Sequence, residues 1–342
     1  MAERARVLVT GASGFIATRI IALLIKRGYD VTGTLRDAAR APSVTALIKG
    51  QGVETDGLRF VEADLMADQG WAEAVTGCTY VMHVASPLPI TRPKDENDLI
   101  VPARGGTVRV LKAAADAGIK RVVLTSSVAA VAYGTGGRET PFTEADWSNP
   151  DADDIGSYEK SKTLAERAAW AFQDHHGGFE LTAVNPSLVL GPVLEKDYGS
   201  SVEVVRQLIS GRIPMAPRIG YPIVDVRDVA DLHVRAMEHP DAAGERFIAA
   251  SGYYSMLEIG RVLKSHMPEI ARRVPSREAP DVLIRLMGRF DPAIGGILFE
   301  LGKRRAVSNE KARTMLAWEP RPDDETIVLT ARSLIEKGVV RG

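Results

Sequence analysis

The sequence has a single cysteine, Cys78, in 342 residues. That excludes an intrachain disulfide and a cysteine-built metal site, and it fits a reducing compartment. Charge of neither sign dominates: 43 Lys and Arg stand against 44 Asp and Glu, a formal net charge of -1. There is accordingly no basic field for nucleic acid, and no basic patch is interleaved with aromatics. No apolar run approaches the roughly 18 residues of a membrane span. The charged start Met1–Arg6 leads straight into a strand-like run, with no signal peptide. No repeat, low-complexity tract or clean linker separates independent units. The absences predict a cytoplasmic protein that meets a small molecule, with no metal, nucleic acid or membrane partner; monomer and homodimer both stay open.

What is present is ordinary in amount: apolar residues at 45% and charged residues at 25% describe a globular chain long enough for one large domain with an appendage. Its order is informative. Arg6–Thr10 is a short β-branched run, Gly11 follows, and a helical pattern runs from about Phe15 to Arg27 before a second strand at about Tyr29–Leu35. Further strand patterns fall at Leu58–Glu62, Tyr80–Val84, Arg121–Ser126 and Glu180–Asn185, with helices at about Leu99–Ala117 and 157–175. Strands alternating with helices predict an α/β fold, a Rossmann-type doubly wound parallel sheet. Past Pro186 the alternation weakens. Residues 187–220 look loop-rich with one helix near Ser201–Ser210, Ile223–Met237 returns a strand and a helix, and Arg246–Ala250 is another strand. The expected division is a dinucleotide-binding body of 1–186 plus about 221–250, and a smaller, discontinuous substrate domain of about 187–220 plus 251–342.

The first turn reads Thr10-Gly11-Ala12-Ser13-Gly14-Phe15-Ile16-Ala17. Gly11 permits a tight turn, and Gly14 lets backbone approach a pyrophosphate at a helix N-terminus, where unpaired N–H groups favour anions. Ala17 allows close helix–sheet packing. The spacing is G-x-x-G-x-x-A, not G-x-G-x-x-G. After strand two, Arg36, with Arg40 nearby, suits a ribose 2′-phosphate, whereas Asp37 would suit a free 2′-hydroxyl. NADP(H) is therefore the expected cofactor, with NAD(H) as the alternative. Ligands of such sheets lie beyond the strand C-terminal ends, where Gly11, Arg36, Asp64, Ala85, Ser127 and Pro186 all fall.

Tyr158 and Lys162 stand four apart, and on a helix they share a face. An ammonium beside a phenol favours the phenolate, which predicts a general acid/base tuned toward neutral pH. A solvated helix face is the plain reading of the pair taken alone. Ser157-Tyr158-Glu159-Lys160 also matches S-x-x-K, but the companion motifs of that acyl-transfer signature are missing. His175-His176 reads as a helix C-terminus, His83 as a packed histidine, Cys78 as a small buried or half-buried residue, Arg272–Arg277 as a solvated helix end and Ile294–Leu301 as core.

Four motifs together, Thr10–Ile16, Leu124-Thr125-Ser126-Ser127, Tyr158-x-x-x-Lys162 and Asn185-Pro186-Ser187-Leu188-Val189-Leu190-Gly191-Pro192, resemble the extended short-chain dehydrogenase/reductases. Leu35-Arg36-Asp37, His83-Val84-Ala85-Ser86-Pro87 and Val224-Asp225-Val226-Arg227-Asp228 are most similar to the dihydroflavonol reductase, cinnamoyl-CoA reductase and aldehyde/ketone reductase branch. The resemblance runs to Trp318-Glu319-Pro320-Arg321-Pro322 and implies a catalytic Ser127, Tyr158 and Lys162. Lys162 would bond the nicotinamide ribose and lower the Tyr158 pKa, and Ser127, preferred over Ser126, would orient a substrate carbonyl. It further implies cofactor contacts from Thr10, Gly11, Ser13, Gly14, Phe15, Ile16, Arg36, Arg40, Asp64, Leu65, Val84, Ala85, Ser86, Pro87, Thr125, Pro186, Ser187 and Val189. Gly105 departs from the pattern, standing where many members carry asparagine before Gly106-Thr107. The expectation is an NADP(H)-dependent oxidoreductase of a small-molecule aldehyde or ketone. A nucleotide-sugar epimerase/dehydratase or hydroxysteroid-type dehydrogenase with the same triad and NAD is the alternative, and a non-catalytic dinucleotide sensor is the third reading. The substrate pocket is expected from loops after Ala85 and Tyr133, residues near 190–225 and the C-terminal helices, with Pro87, Tyr198 and Met215 as candidates.

Overall fold

The computed structural model describes residues 4–87, 95–136 and 140–340. In chain order its elements begin β1 (Arg6–Val9), α1 (Phe15–Lys26), β2 (Asp30–Leu35), α2 (Ala41–Lys49), β3 (Leu58–Glu62), α3 (Trp71–Val75), β4 (Tyr80–His83) and α4 (Asn97–Asp116). There follow β5 (Arg121–Thr125), α5 (Ser157–His176), β6 (Glu180–Pro186), β7 (Leu188–Leu190), α6 (Glu203–Ile209), β8 (Gly220–Asp225), α7 (Val226–Glu238) and β9 (Arg246–Ala249). The chain closes with β10 (Tyr253–Ser255), α8 (Met256–His266), α9 (Asp281–Met287), α10 (Pro292–Gly295), α11 (Glu310–Leu316) and α12 (Asp323–Glu336).

Seven parallel strands form one sheet in the order β3-β2-β1-β4-β5-β6-β9. Chain order reverses between β1 and β4, the switch point at which doubly wound sheets open a crevice for ligand. β1 is buried along Val7, Leu8 and Val9, as a central parallel strand covered on both faces must be. α1 presents Ala17, Ile20, Ile21 and Leu24 to the sheet at helical spacing, all fully buried. Each of its three larger side chains contributes about 1.5–3 kcal/mol by leaving water. On the other face α4 and α5 pack together against the sheet, and Gly106 on α4 fits because an added Cβ would come within 2.9 Å of Leu65. Gly105, by contrast, is exposed and would meet nothing within 4 Å, so the departure there removes no contact in this fold.

Three short strands, β10-β8-β7, form a second sheet. A separate apolar cluster joins α6, α8 and α12 around Leu208, Ile259, Leu263 and Leu334. α11 instead joins the core of the large sheet through Ala312 and Leu316, and the nearby Trp318, fully buried there, donates its indole N–H to the Asp228 carbonyl at 3.0 Å. Two readings of the C-terminal half need correction. β7 lies where loop was expected, because a three-residue strand is too short to show a period. Arg272–Arg277 is not a helix end but a turn region after α8, with Val274 buried within it.

Candidate active site

The C-terminal ends of β1, β2, β4, β5 and β6 open onto one cleft of about 680 Å³. At its floor the chain leaves β1 through Gly11, whose φ of +66° is the left-handed region that glycine enters freely. A Cβ at Gly11 would also stand 3.0 Å from that of Ala85. Gly14 then begins α1 with extended backbone, and no side chain caps that helix. The first-turn N–H groups near Phe15 and Ile16 are thus without a capping side chain at the cleft, an arrangement that favours a phosphate. Ser187 adds a buried hydroxyl with no hydrogen-bond partner, and it too lines the cleft. An uncapped helix end and an orphaned hydroxyl in one crevice fit a dinucleotide.

Most of the sequence-derived candidates converge here: Gly11, Ser13, Gly14, Phe15, Ile16, Arg36, Asp64, Leu65, Val84, Ala85, Ser86, Pro87, Thr125, Ser127, Tyr158, Lys162, Pro186, Ser187 and Val189 all line the cleft. Thr10 does not. It is fully buried, and its hydroxyl accepts the backbone N–H groups of Val84 and Ala85 at 3.0 and 2.9 Å. With its lone pairs so used, the hydroxyl donates to His83 Nδ1 at 2.9 Å, which leaves the imidazole proton on Nε2. Burial pushes His83 down to about 3 and the Lys162 charge acts in the same direction; the ring is neutral and packed. Thr10 therefore shapes the Val84–Ala85 wall from behind. Arg40 also lies outside the lining, bonding the Ser13 hydroxyl at 3.4 Å and facing Glu195 and Asp197 at 3.7 and 3.6 Å.

The two serines after β5 have different partners. The Ser126 hydroxyl donates to buried Glu166, whereas the Ser127 hydroxyl donates to the Pro186 carbonyl at 3.5 Å, accepts the Ala129 N–H at 3.1 Å and stands near enough to Tyr158 to favour its phenolate. Tyr158 and Lys162 occupy successive turns of α5 and both face the cleft. Their charges differ from the sequence expectation. Burial pushes the Tyr158 phenol up to about 12, with nearby Ser127 opposing, and burial pushes Lys162 down to about 8, with Glu166 opposing. Desolvation favours the neutral form of each group and here outweighs any ammonium-to-phenolate attraction.

Glu166 anchors this arrangement. It is 1% exposed, and it takes Arg246 Nε at 2.6 Å and Asn185 Nδ2 at 2.8 Å. Asn185 Nδ2 also reaches the Ser127 carbonyl at 3.1 Å. The sequence reading missed Glu166, along with cleft-lining Thr34, Tyr133, Glu159 and Tyr221. Glu166 was within reach, since 158, 162 and 166 fall on one helical face. Thr34, which accepts the Gly11 N–H at 3.0 Å, carries no motif. Tyr198 and Met215 do not line the cleft; both pack on the second apolar cluster. Part of the loops expected to shape the pocket, residues 88–94 and 137–139, lies outside the described residues.

Comparison with known proteins bears on the family and the fold. The model of the NAD dependent epimerase/dehydratase family matches residues 7–250. Cinnamoyl-CoA reductase CAD2 of Medicago truncatula is 37% identical over 284 residues, covering 80% of this chain and 84% of that protein. Dihydroflavonol 4-reductase of Zea mays is 32% identical over 283 residues, covering 80% and 78%. The crystal structure of yeast methylglyoxal/isovaleraldehyde reductase Gre2 complexed with NADPH has a TM-score of 0.81 at 27% identity, over 98% of this chain and 99% of that one.

Proposed function

This chain belongs to the NAD dependent epimerase/dehydratase family, and on that footing we propose that it is an NADP(H)-dependent reductase of aldehydes or ketones. One observation carries the reading. Ser127, Tyr158 and Lys162 line one cleft, and the same cleft runs past the uncapped N-terminus of α1 to Arg36. The reductases named above, one of them complexed with NADPH, support it.

In this reading the turn from Gly11 to Ile16 holds the pyrophosphate, and Arg36, with Arg40 behind Ser13, meets the 2′-phosphate. Asp64 and Leu65 border the adenine, Val84–Pro87 and Thr125 follow the middle of the cofactor, and Pro186, Ser187 and Val189 border the nicotinamide. Leu188, Ser200, Ser201 and Val204 of the 187–220 segment, with Tyr133, Glu159 and Tyr221, supply the substrate side. When bound, NADPH supplies a hydride to the carbonyl carbon. Negative charge then grows on the carbonyl oxygen, where the Ser127 and Tyr158 hydroxyls stabilise it. Tyr158, a phenol neutral at pH 7 and held further so by desolvation, already holds the proton that the alcohol needs. Once that proton has gone to the substrate oxygen, Lys162, still mostly protonated at pH 7, stabilises the phenolate one turn away.

The test is NADPH consumption against a panel of aryl and alkyl aldehydes, ketones, ketoesters and flavonoids. Tyr158→Phe should bind NADPH as the unmodified protein does and lose about 100-fold or more in turnover, the usual size of an acid/base contribution. Unchanged turnover would remove Tyr158 from the chemistry. A chain that keeps its nucleotide bound and shows no net consumption would instead be an epimerase or dehydratase.

A further inference from the structure

The cleft wall beside Tyr158 is polar and half-buried. Glu159, Tyr133 and Tyr221 line it. Behind them Glu300 and Arg305 form an ion pair, each 4% exposed. The Arg305 guanidinium lies 4.3 Å over the Tyr133 ring, and its Nε and Nη2 have no hydrogen-bond partner. Burial pushes the Glu159 carboxyl up to about 7, Glu300 acting in the same direction and Arg305 against it. Tyr133 and Tyr221 are neutral phenols at pH 7, burial raises both further, and Tyr133 already interacts with the Glu300 carboxyl.

Hydride and proton transfer make no use of this group. Glu159 serves one local purpose, since as the third residue of α5 its carboxyl sits against the helix start, where the backbone at Glu159 and Gly156 favours its charged form. A carboxyl so placed keeps further acceptor capacity, and that purpose does not require two phenols on the same wall. Resting on the carbonyl-reductase reading, we propose that Glu159, with Tyr133 and Tyr221, forms a specificity site for an uncharged hydroxyl on the carbonyl substrate. Hydroxyaldehydes and hydroxyketones are then preferred over alkyl analogues and over carboxylate-bearing ones. A hydroxyl both donates and accepts, and so pairs with a carboxylate and a phenol together. An alkyl group of the same size leaves the Glu159 carboxyl and the Tyr221 phenol without that partner, the situation that sites discriminate against most strongly. A substrate carboxylate would meet the Glu159 carboxyl on the cleft wall, like charge against like, with neither Glu300 nor Arg305 lining the cleft to offset it.

The experiment compares three methyl ketone series matched in length: hydroxyacetone, butanone and pyruvate; 4-hydroxy-2-butanone, 2-pentanone and acetoacetate; 5-hydroxy-2-pentanone, 2-hexanone and levulinate. In at least one series the hydroxyketone should exceed its alkyl partner by about 10-fold or more in kcat/KM, with the carboxylate lowest. Glu159→Leu should bring the hydroxyl-to-alkyl ratio close to 1, whereas Glu159→Gln should keep that preference and raise the carboxylate's relative rate. If Glu159→Leu fails to fold, Tyr221→Phe and Glu159→Gln carry the test, and Tyr221→Phe should lower the ratio about 3-fold or more. A wild-type ratio near 1 in every series, or a ratio unmoved by these substitutions while NADPH is consumed, overturns the specificity site and leaves the reductase standing. No consumption with any ketone, nor with the aldehydes of the broader panel, overturns the reductase reading and this site with it.

Discussion

Removing Glu166 tests how the reactive hydroxyls are held. Its carboxylate takes Arg246 Nε at 2.6 Å, Asn185 Nδ2 at 2.8 Å, the Ser126 hydroxyl and the Trp170 indole at 3.3 Å. Glu166→Ala strands all of these donors in the interior, and breaking a buried ion pair by deleting one partner costs about 3–5 kcal/mol. Arg246 is partly compensated: its Nη1 keeps the Glu144 and Asp146 carbonyls at 2.8 Å each, and its guanidinium stacks 3.8 Å over Trp147. We therefore place the loss near the lower bound, at about 3 kcal/mol. With a urea m-value of about 3 kcal/mol/M, the midpoint falls by about 1 M at constant m. Because Asn185 ties Glu166 to the Ser127 carbonyl, kcat should drop more than NADPH affinity under conditions where the variant is still folded. Adding Arg246→Met should cost less than the sum of the two single changes, since they share one pair. A midpoint shift below about 0.3 M, or strictly additive costs, would show that the network does not couple sheet, α5 and the serine pair as described.

Arg36→Ala should weaken NADPH binding about 10-fold or more and leave NADH nearly unchanged, the scale of one charge-assisted phosphate contact. Arg40→Ala should do less, because Glu195 and Asp197 already share its charge; equal NADPH and NADH affinities in the unmodified protein, by fluorescence titration, would refute both. Lys162 is charged below its pKa of about 8 and loses that charge as pH rises through it. Reductive kcat/KM should accordingly fall on the alkaline side with an apparent pKa near 8, and Glu166→Gln, which removes the charge holding that value up, should move the limb to lower pH. A profile flat to about pH 9.5 would count against a charged Lys162 in catalysis. Gly105→Ala, on an exposed interior turn of α4 with open space around it, should raise stability by about 0.5–1 kcal/mol in denaturant titration; a loss would mean that position 105 has a contact the fold does not reveal.

Much of the sheet could be read from residue order because each central strand is a buried β-branched run and each crossover helix repeats its apolar residues at helical spacing. Boundaries such as Leu58–Glu62 coincide, and Arg121–Ser126 differs from β5 by a single residue. The cleft followed from the same order, since parallel strands deliver their C-terminal ends to one edge. What stayed illegible was short or non-local. β7 and β10 have three residues each, and Tyr133 and Tyr221 reach the cleft by tertiary packing from segments nearly ninety positions apart.

The larger gap concerns dielectric environment rather than position. Spacing on a helix places Tyr158 beside Lys162, but it does not say how much water each keeps. Both are half-buried in a crowded part of the cleft, and the desolvation there reverses the expected direction of the Tyr158 shift. The same burial separates the roles of neighbours that look alike in sequence. Ser126 is spent on Glu166 while Ser127 is left for Tyr158, and Glu159, one residue past the phenol, holds its proton to near neutrality. A phenol that keeps its proton at pH 7 is suited to giving it to an alkoxide and poorly suited to taking one from an alcohol. In the direction of carbonyl reduction the buried site therefore starts from the protonation state it needs, whereas alcohol oxidation would first have to ionise Tyr158 against its surroundings.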